Sequence, residues 1–393
     1  MGTSIYLKPK EEIRIKNGHS WVYSNEISRM DGEIVSGQIA SVFSSKGEFL
    51  GKGFLNTASK IFVRILSRKQ EQEIDKAFFY SLIYRANQSK IDLGYQQTYR
   101  VVFGEADGIS GLIVDKYGDY LVIQVVSYGI ELWKNIIVEV LIDLFQPLGI
   151  AERSDVAVRI KEGLSETVGV LYGEIPETVI INEEGLLVRI NLLKGQKTGY
   201  FLDQQLNHHM IKQYVKNKEV LDCFSHTGGF GLHAALHGAR HVTLVDISQS
   251  ACDQIHMNAD LNHLKNITVV KADVFDLLRK YQTTQKKFDV VILDPPAFTK
   301  SSEHLQKAYA GYKEINLQAM KIVENGGYLY TCSCSHYMTP ALFLQMLSEA
   351  AADSSRMVQM VEFRTQGKDH PTLLGSEETL YLKCVVLRIN DYV

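Results

Sequence analysis

The chain has 393 residues, of which 45% are hydrophobic and 22% charged, and its formal net charge is −3. This length exceeds what one hydrophobic core usually organises, so we expect two or three domains. No apolar run approaches the roughly 18 residues of a membrane span, and the first residues lack the apolar core of a signal peptide, which argues against membrane and secreted classes. The five cysteines fall in predicted strands and helices, which favours a reducing, cytoplasmic setting.

Charge is distributed unevenly along the chain. Residues 1–70 carry 11 Lys and Arg against 6 Asp and Glu, a net of +5, whereas the remaining residues carry 31 against 39, a net of −8. A basic N-terminal portion favours contact with phosphates, although ordinary surface variation explains the asymmetry equally well. The candidate RNA contacts here are Lys8, Arg14, Trp21 and Arg29; Trp21 also suits the core of a small barrel.

The N-terminal segment reads as short strands separated by Gly, Asn and Ser. The predicted strands cover residues 13–15, 39–43, 49–54 and 62–66. This spacing is typical of a small barrel or sandwich.

The middle of the chain predicts a small α+β unit. Apolar residues at helical spacing predict a helix within 72–90, and a second helix is expected over 132–145. The predicted strands cover residues 111–115, 120–125, 157–159 and 178–181.

From about residue 219 the chain alternates strands and helices to its end. The predicted strands cover residues 220–224, 242–246, 267–271, 290–294, 327–332, 357–363 and 381–389. A long helix is expected over 304–323. Such alternation predicts an α/β domain with a mostly parallel sheet covered on both faces, whose ligands bind beyond the carboxyl ends of the strands.

The loop after the first of these strands predicts a small-molecule site. Gly228 and Gly229 open a helix there and let a ligand lie against the backbone, because no Cβ intrudes. The spacing matches neither a dinucleotide nor a triphosphate fingerprint, which makes those ligands less favoured. Asp222, at the end of the strand, could instead meet a cationic amino-acid moiety.

Acidic residues follow the next two strands. Asp246 lies 18 residues beyond Gly228, as expected for a carboxylate that binds two ribose hydroxyls. Asp273 could accept a hydrogen bond from an adenine amino group. Either residue alone could be a helix cap, but three acidic residues after three successive strands favour an adenosyl ligand.

A thiol and a carboxylate end two further strands. Cys332 and Cys334 point to the same face of a strand, and Cys334 lies nearer the carboxyl end, where ligands bind. Asp294 ends the preceding strand. This pair suits covalent attack on a pyrimidine ring, with Cys334 as nucleophile and Cys332 as a packed strand thiol. No metal site is expected here, because no further clustered Cys or paired His completes one; His208 and His209 are expected on a helix surface.

These features resemble the class I S-adenosylmethionine (SAM)-dependent methyltransferases. The wider chain is similar to the bacterial large-subunit ribosomal RNA cytosine-5 methyltransferase family with an N-terminal PUA domain. The matching stretches are residues 19–24, 104–115, 153–159, 197–204, 223–230 and 333–335. The resemblance implies a PUA-like RNA-binding domain over 1–70, an α+β middle domain over 71–185 and a Rossmann-like catalytic domain over 186–393.

The resemblance also implies the chemistry. It implies SAM as cofactor, held in part by Phe224 in the loop and by the segment from Tyr200 to Gln204 over the methionine end. It implies 5-methylcytosine in 23S ribosomal RNA as the product and Cys334 as the nucleophile. Because the target cytosine must leave its stack to receive both thiol and methyl group, naked or partly assembled ribosomal RNA is the expected substrate. Two departures are visible: Gln205 stands where the family usually has Arg, and Ala297 stands where related RNA enzymes often have a second Cys.

Two other functions remain open from the residues. Asp294-Pro295-Pro296, followed after Ala297 by Phe298, is close to the signature of methyltransferases that act on exocyclic amines, in which an aromatic ring stacks on the base. A non-catalytic RNA-binding factor with a retained methyltransferase fold is the third possibility. The sequence leaves open whether the protein forms a homodimer.

Overall fold

The computed structural model describes residues 2–299 and 302–393, which form two compact units. One unit comprises the residues up to 181 together with 190–202 and 368–379. The other comprises 182–189, 203–367 and 380–393. Within the described residues, no helix is long and apolar enough to cross a membrane.

The first unit begins with a six-stranded sheet. Its strands are β1 (Thr3–Leu7), β2 (Trp21–Tyr23), β3 (Ile27–Asp31), β4 (Ile39–Phe43), β5 (Phe49–Leu55) and β6 (Ile61–Ser67), in the order β2-β6-β5-β4-β1-β3. Buried and half-buried residues alternate along β1, as expected for a strand with one face on a core. Gly53 lies so close to β6 that a Cβ would stand 1.8 Å from the Arg64 carbonyl oxygen, which explains the glycine.

The strand predicted over residues 13–15 is wrong, because Glu12–Lys16 form the short helix α1. Residues two apart share a face in a strand but not in a helix. Ile15 is buried and Ile13 is 54% exposed, which is the helical arrangement. Three residues are too few for the two periods to be distinguished in the sequence.

The first unit continues with a five-stranded sheet and two helices. The strands are β7 (Thr98–Phe103), β8 (Leu112–Tyr117), β9 (Tyr120–Val125), β10 (Gly149–Ser154) and β11 (Thr167–Gly173), in the order β11-β10-β9-β8-β7. The helices are α2 (Lys76–Asp92) and α3 (Tyr128–Phe145), as predicted. Asp75 caps α2 by accepting from the Phe78 N–H at 2.8 Å, and Phe79 and Ile137 bury the facing sides of the helices.

The strand predicted over residues 157–159 is also wrong. Ala157–Glu162 form a 3-10 helix, and the Arg159 side chain is buried within it. Its guanidinium donates to the carbonyl oxygens of Ser165 at 2.6 Å and Val125 at 2.7 Å. These contacts come from distant parts of the chain, so they decide the local conformation against the strand pattern.

A two-stranded sheet of β12 (Val179–Glu183) and β13 (Leu186–Ile190) follows. The turn residues Glu184 and Gly185 have φ of 48° and 96°, as a tight hairpin turn with two left-handed residues requires.

A seven-stranded sheet forms the centre of the second unit. Its strands are β14 (Glu219–Cys223), β15 (His241–Asp246), β16 (Ile267–Lys271), β17 (Phe288–Leu293), β18 (Val323–Ser333), β19 (Met357–Arg364) and β20 (Lys383–Asn390), in the order β16-β15-β14-β17-β18-β20-β19. The associated helices are α4 (Gln205–Met210), α5 (Gly229–Leu236), α6 (Gln249–Leu261), α7 (Val274–Thr283), α8 (Leu305–Ile322) and α9 (Pro340–Ser354). The first five strands of that order are parallel, β20 is antiparallel to both of its neighbours, and β19 therefore runs in the same direction as the first five, so the predicted mostly parallel sheet is confirmed.

The strand order reverses between β14 and β17. From β14 the chain builds outward through β15 and β16, and it then returns to β17 on the other side. Val291 and Leu293 in β17 pack with Tyr312 of α8 and Phe343 of α9 in one buried core. A crevice opens beyond the carboxyl ends of strands at such a reversal, and the predicted ligand residues follow these ends.

Candidate active site

The loop from Phe224 to Gly228 joins β14 to α5 at the strand-order reversal. Phe224, His226 and Gly228 have φ of 63°, 51° and 94°. These left-handed conformations are uncommon outside glycine and mark a strained, specifically shaped loop. Gly229 follows with no side chain, and a Cβ there would stand 2.4 Å from the His208 ring. The close packing of His208 against the start of α5 therefore requires a glycine at position 229.

Asp222 lies beneath this loop rather than at its surface. Its side chain is 1% exposed and accepts a hydrogen bond from the Gly231 N–H at 3.0 Å. Burial raises the pKa of Asp222 to about 7. The residue thus orders the start of α5 and carries a charge that changes near neutral pH.

Asp246 lies at the carboxyl end of β15, as predicted, and is half-buried. One of its oxygens accepts from the His226 N–H at 2.9 Å and the other from the Ser248 N–H at 2.9 Å. Asp246 and the loop are therefore brought together.

Asp273 is exposed and caps α7. One of its oxygens accepts from the Phe275 N–H at 2.8 Å and more weakly from the Asp276 N–H at 3.4 Å. The cap and a ligand contact are compatible, because a carboxylate offers more than two acceptor positions.

Asp294 follows β17 on the other side of the reversal. Its N–H donates to the Cys223 carbonyl oxygen at 3.4 Å, which joins the ends of β14 and β17. The Gln204 side-chain amide donates to an Asp294 oxygen at 3.0 Å. Two residues that were predicted separately are therefore in direct contact. The neighbouring Gln205 is buried.

The two cysteines of β18 and its end have different environments. Cys332 is fully buried opposite Cys384 of β20, and burial raises the pKa of its thiol. Cys334 lies just beyond the strand and is half-buried. Only the thiolate form is a good nucleophile, so Cys332 is poorly suited to attack, whereas Cys334 is accessible.

Sequence reasoning missed two residues near Cys334. Lys383 is 1% exposed, and its ammonium donates to the carbonyl oxygens of Ser335 at 2.7 Å and Tyr381 at 2.8 Å. Burial lowers the pKa of Lys383 to about 8. A negative charge on Cys334 would raise this pKa again, which means that the Lys383 ammonium and the Cys334 thiol are close enough to interact electrostatically. The available signal was a lysine at the start of an otherwise apolar strand.

Tyr312 is the other missed residue. It lies within the helix that was predicted over residues 304–323, and it is fully buried. Burial raises the pKa of Tyr312, and Cys334 and Asp294 both add to the rise. One hydroxyl therefore lies within electrostatic range of both predicted catalytic residues.

Phe298 is half-buried in an aromatic cluster. Its ring centroid lies 4.5 Å from that of Tyr312, 6.0 Å from Phe275 and 6.4 Å from Phe224. The ring therefore packs against protein on several sides.

Tyr200 belongs to the first unit. Its backbone N–H donates to the Tyr117 hydroxyl at 3.3 Å, and its side chain is 2% exposed.

The predicted RNA contacts at the N-terminus differ in availability. Lys8 and Arg29 are exposed: Lys8 donates to the Asn25 carbonyl oxygen at 2.8 Å, and Arg29 lies 3.0 Å from Asp31. Arg14 is bonded to Glu26 at 2.6 Å.

Trp21 is half-buried, and its indole N–H donates to a Glu105 oxygen at 2.9 Å. Arg14 and Trp21 therefore have structural partners within the first unit.

The expectation that His208 lies on a helix surface is wrong. Its ring is 5% exposed, and Nδ1 lies 2.7 Å from an oxygen of Glu183 in β12. Burial alone would lower the pKa of His208, but the Glu183 carboxylate raises it, and His208 in turn lowers the pKa of Glu183. The pairing residue lies 25 positions away in a hairpin, which no local pattern indicates. His209, expected on the same surface, is half-buried.

Family models match two parts of the chain. Residues 5–68 match a PUA-like domain, and residues 158–382 match an S-adenosylmethionine-dependent methyltransferase. Both predicted domain types are confirmed, and so is SAM as the cofactor. The strained loop and the half-buried Asp246 at the end of β15 are compatible with an adenosyl ligand of this kind.

Relatives extend the match over the full chain. The ribosomal RNA large subunit methyltransferase I of Vibrio campbellii is 43% identical over 398 residues, which cover 98% of this chain and 100% of the relative. The protein of that name from Aliivibrio fischeri is 41% identical, with 99% and 100% covered. A candidate SAM-dependent methyltransferase from Streptococcus mutans shares the fold, with a TM-score of 0.84 at 22% identity and 99% and 100% coverage.

Identity above 40% over essentially the whole chain shows common family membership, and the methyltransferase model covers more than half of the residues. The chain therefore belongs to the ribosomal RNA large subunit methyltransferase I family and is an S-adenosylmethionine-dependent methyltransferase.

Proposed function

We propose that this protein methylates C5 of one cytosine in 23S ribosomal RNA through a covalent adduct with Cys334. One observation carries the proposal: an accessible thiol and a carboxylate follow two adjacent parallel strands, β18 and β17, at the reversal of a methyltransferase sheet. The relatives named for ribosomal RNA support the substrate class.

In the proposed site the residues at the ends of β14, β15 and β16 would hold the cofactor. The side of the cofactor that faces the loop backbone would contact Phe224, Gly228 and Gly229. Asp222 would hold this loop from beneath. Asp246 would take the ribose hydroxyls and Asp273 the adenine amino group. Gln204 would complete the methionine end.

The chemistry follows from the weak nucleophilicity of cytosine C5. The Cys334 thiolate adds to C6, and a protonated Asp294 donates its proton to N3, which makes C5 enamine-like. When bound, the cofactor would supply the methyl group that C5 takes up. Loss of the C5 proton to a base, with return of the N3 proton to Asp294, would then expel the thiolate and restore the ring. Lys383 would favour the thiolate by its nearby positive charge.

The basic N-terminal residues would position the RNA. Arg29 and Lys8 are exposed and suit phosphate contacts, whereas Arg14, Trp21 and Phe298 would contribute through residual exposed surface. The target cytosine must leave its stack to meet both thiol and methyl group, which favours naked or partly assembled RNA in the cytoplasm. We assign these roles to domains bounded by residues 1–70, 71–185 and 186–393.

The substrate is tested by bisulfite mapping of ribosomal RNA from cells that lack the gene. Loss of protection at one cytosine, restored by the wild-type gene, is expected. An unchanged map would exclude the cytosine-5 assignment. A purified protein that gives no binding heat with SAM would instead support a non-catalytic RNA-binding role.

The mechanism is tested by a matched pair of variants. Cys334→Ala should abolish methylation of RNA. It should also abolish the covalent adduct that the wild type forms with RNA carrying 5-fluorocytosine, which accumulates because the C5 fluorine, unlike the C5 proton, cannot be removed to release the thiolate. Cys332→Ala should retain both, with reduced stability, because its thiol is buried opposite Cys384. Methylation at the wild-type rate by Cys334→Ala would reject the covalent route and favour transfer to an exocyclic amine.

A further inference from the structure

Three histidines of the second unit face one another beside the cofactor loop. His209 lies on α4, and His233 and His237 lie one helical turn apart at the end of α5. One ring nitrogen from each lies within 4.8 Å of the others. The ring centroids of His233 and His237 are 5.8 Å apart, and the rings are nearly parallel at 13°.

The nitrogens that meet there are buried and unsatisfied. Among the described residues, Nδ1 of His209, Nε2 of His237 and Nδ1 of His233 have no hydrogen-bond partner. His233 is 0% exposed, so bulk water does not satisfy it. Buried polar atoms are nearly always paired, and three such rings in one cluster point to a missing ligand.

A carboxylate stands beside the cluster. One oxygen of Glu183, which is 1% exposed, lies 3.4 Å from His233 Nε2. The other oxygen has no hydrogen-bond partner among the described residues. Lys212 is a positively charged residue near the cluster. Its ammonium lies 2.5 Å from Nε2 of His209 and therefore leaves the unsatisfied Nδ1 on the other side of that ring without a partner in the described part of the chain.

We propose that His209, His233 and His237 bind one divalent transition-metal ion of the zinc class. Imidazole nitrogen is a preferred ligand of Zn²⁺, Co²⁺ and Ni²⁺, and an i, i+4 histidine pair on one helix face is a common half of such sites. Tetrahedral zinc with bonds of about 2.0–2.1 Å places its nitrogens roughly 3.4 Å apart. The rings therefore need to close by little more than 1 Å. Glu183 or water would fill the fourth position.

The ion would join α4 to α5. The first residue of α5, Gly229, follows the strained loop of the cofactor site, and His208 of α4 already packs against it. Bound metal would thus hold the helix on which the loop depends. This structural role is independent of the base that the enzyme methylates.

The test uses the full-length protein without a histidine tag. Zn²⁺ titration by calorimetry should show one site per chain, and Co²⁺ should give the visible absorption of a tetrahedral complex. His237→Gln and His209→Gln should each weaken binding at least roughly tenfold. Both positions are half-buried, so these variants should fold more readily than a variant of His233.

The matched control is His256→Gln, at an exposed position on α6. It should bind Zn²⁺ as the wild type does, and Zn²⁺ should raise the Tm of both. Absence of stoichiometric binding to the wild type would overturn the proposal. So would equal affinity in the wild type and in the His209→Gln and His237→Gln variants.

Discussion

Replacement of Gly231 by Ala tests how tightly the cofactor loop is supported. The new Cβ would stand 2.5 Å from Cδ2 of Leu244 and 2.7 Å from an oxygen of Asp222. Both neighbours are buried, at 0% and 1% exposure, so neither can swing into solvent. Overpacking of this kind costs about 1–3 kcal/mol. The better helix propensity of Ala offsets up to about 1 kcal/mol, so the net loss lies between about 0 and 3 kcal/mol and is expected near the middle of that range, at about 1–2 kcal/mol.

This loss should be visible in two measurements. Thermal unfolding should shift downward by about 2–8 °C, from roughly 2–4 °C per kcal/mol for a domain of this size. The clash also disturbs the hydrogen bond from Gly231 to Asp222, typically worth about 1 kcal/mol, so calorimetry should show SAM binding weakened about fivefold.

Gly169→Ala is the matched control, because a Cβ there meets nothing within 4 Å and the backbone is not left-handed. Its Tm and SAM affinity should equal those of the wild type. If Gly231→Ala behaves as this control does, the loop is not supported from beneath by Asp222 and the reasoning fails.

Three further predictions concern charge. Lys383→Met should slow alkylation of Cys334 by iodoacetamide at pH 7, because the thiolate loses a neighbouring positive charge. The difference in rate should vanish well above pH 8, since the pKa of Lys383 is about 8 and its side chain is then neutral in the wild type as well. An equal rate at pH 7 would remove Lys383 from the proposed chemistry. Arg100→Met should lower the free energy of unfolding by about 3–5 kcal/mol in urea titrations, because the fully buried Asp115, which Arg100 binds twice at 2.8 Å, loses the guanidinium that pairs with it; a loss below about 1 kcal/mol would contradict this. Arg29→Ala should leave the Tm unchanged but weaken RNA binding. The slope of the logarithm of the binding constant against the logarithm of salt concentration should fall by about one released ion. An unchanged slope would argue against a phosphate contact.

The parts of the fold that local pattern determines were predicted well. The apolar run of β17 is buried throughout, and its end at Asp294 is visible because a charged residue and two prolines interrupt it. The distinction between Cys332 and Cys334 also followed from strand period and direction, and the difference in burial between them agrees with it. In each case neighbouring residues carry the signal.

The missed features depend on partners far along the chain. Lys383 is held by the carbonyl oxygen of Ser335, 48 positions away, and His208 by Glu183, 25 positions away. Both side chains are polar, so pattern alone assigns them to the surface. Only the assembled unit supplies the groups that make their burial possible.

The place of β20 in the sheet has a consequence for biosynthesis. It is the last strand along the chain, yet it lies between β18 and β19 and pairs with both. During vectorial synthesis β18 therefore emerges with one side of its backbone unpaired, and β19 emerges with no neighbour in the sheet until residues 383–390 follow. The pairing of β18, the strand that leads to Cys334, is therefore complete only after β20 has been synthesised, and a nascent or truncated chain without β20 has only β17 to support that strand.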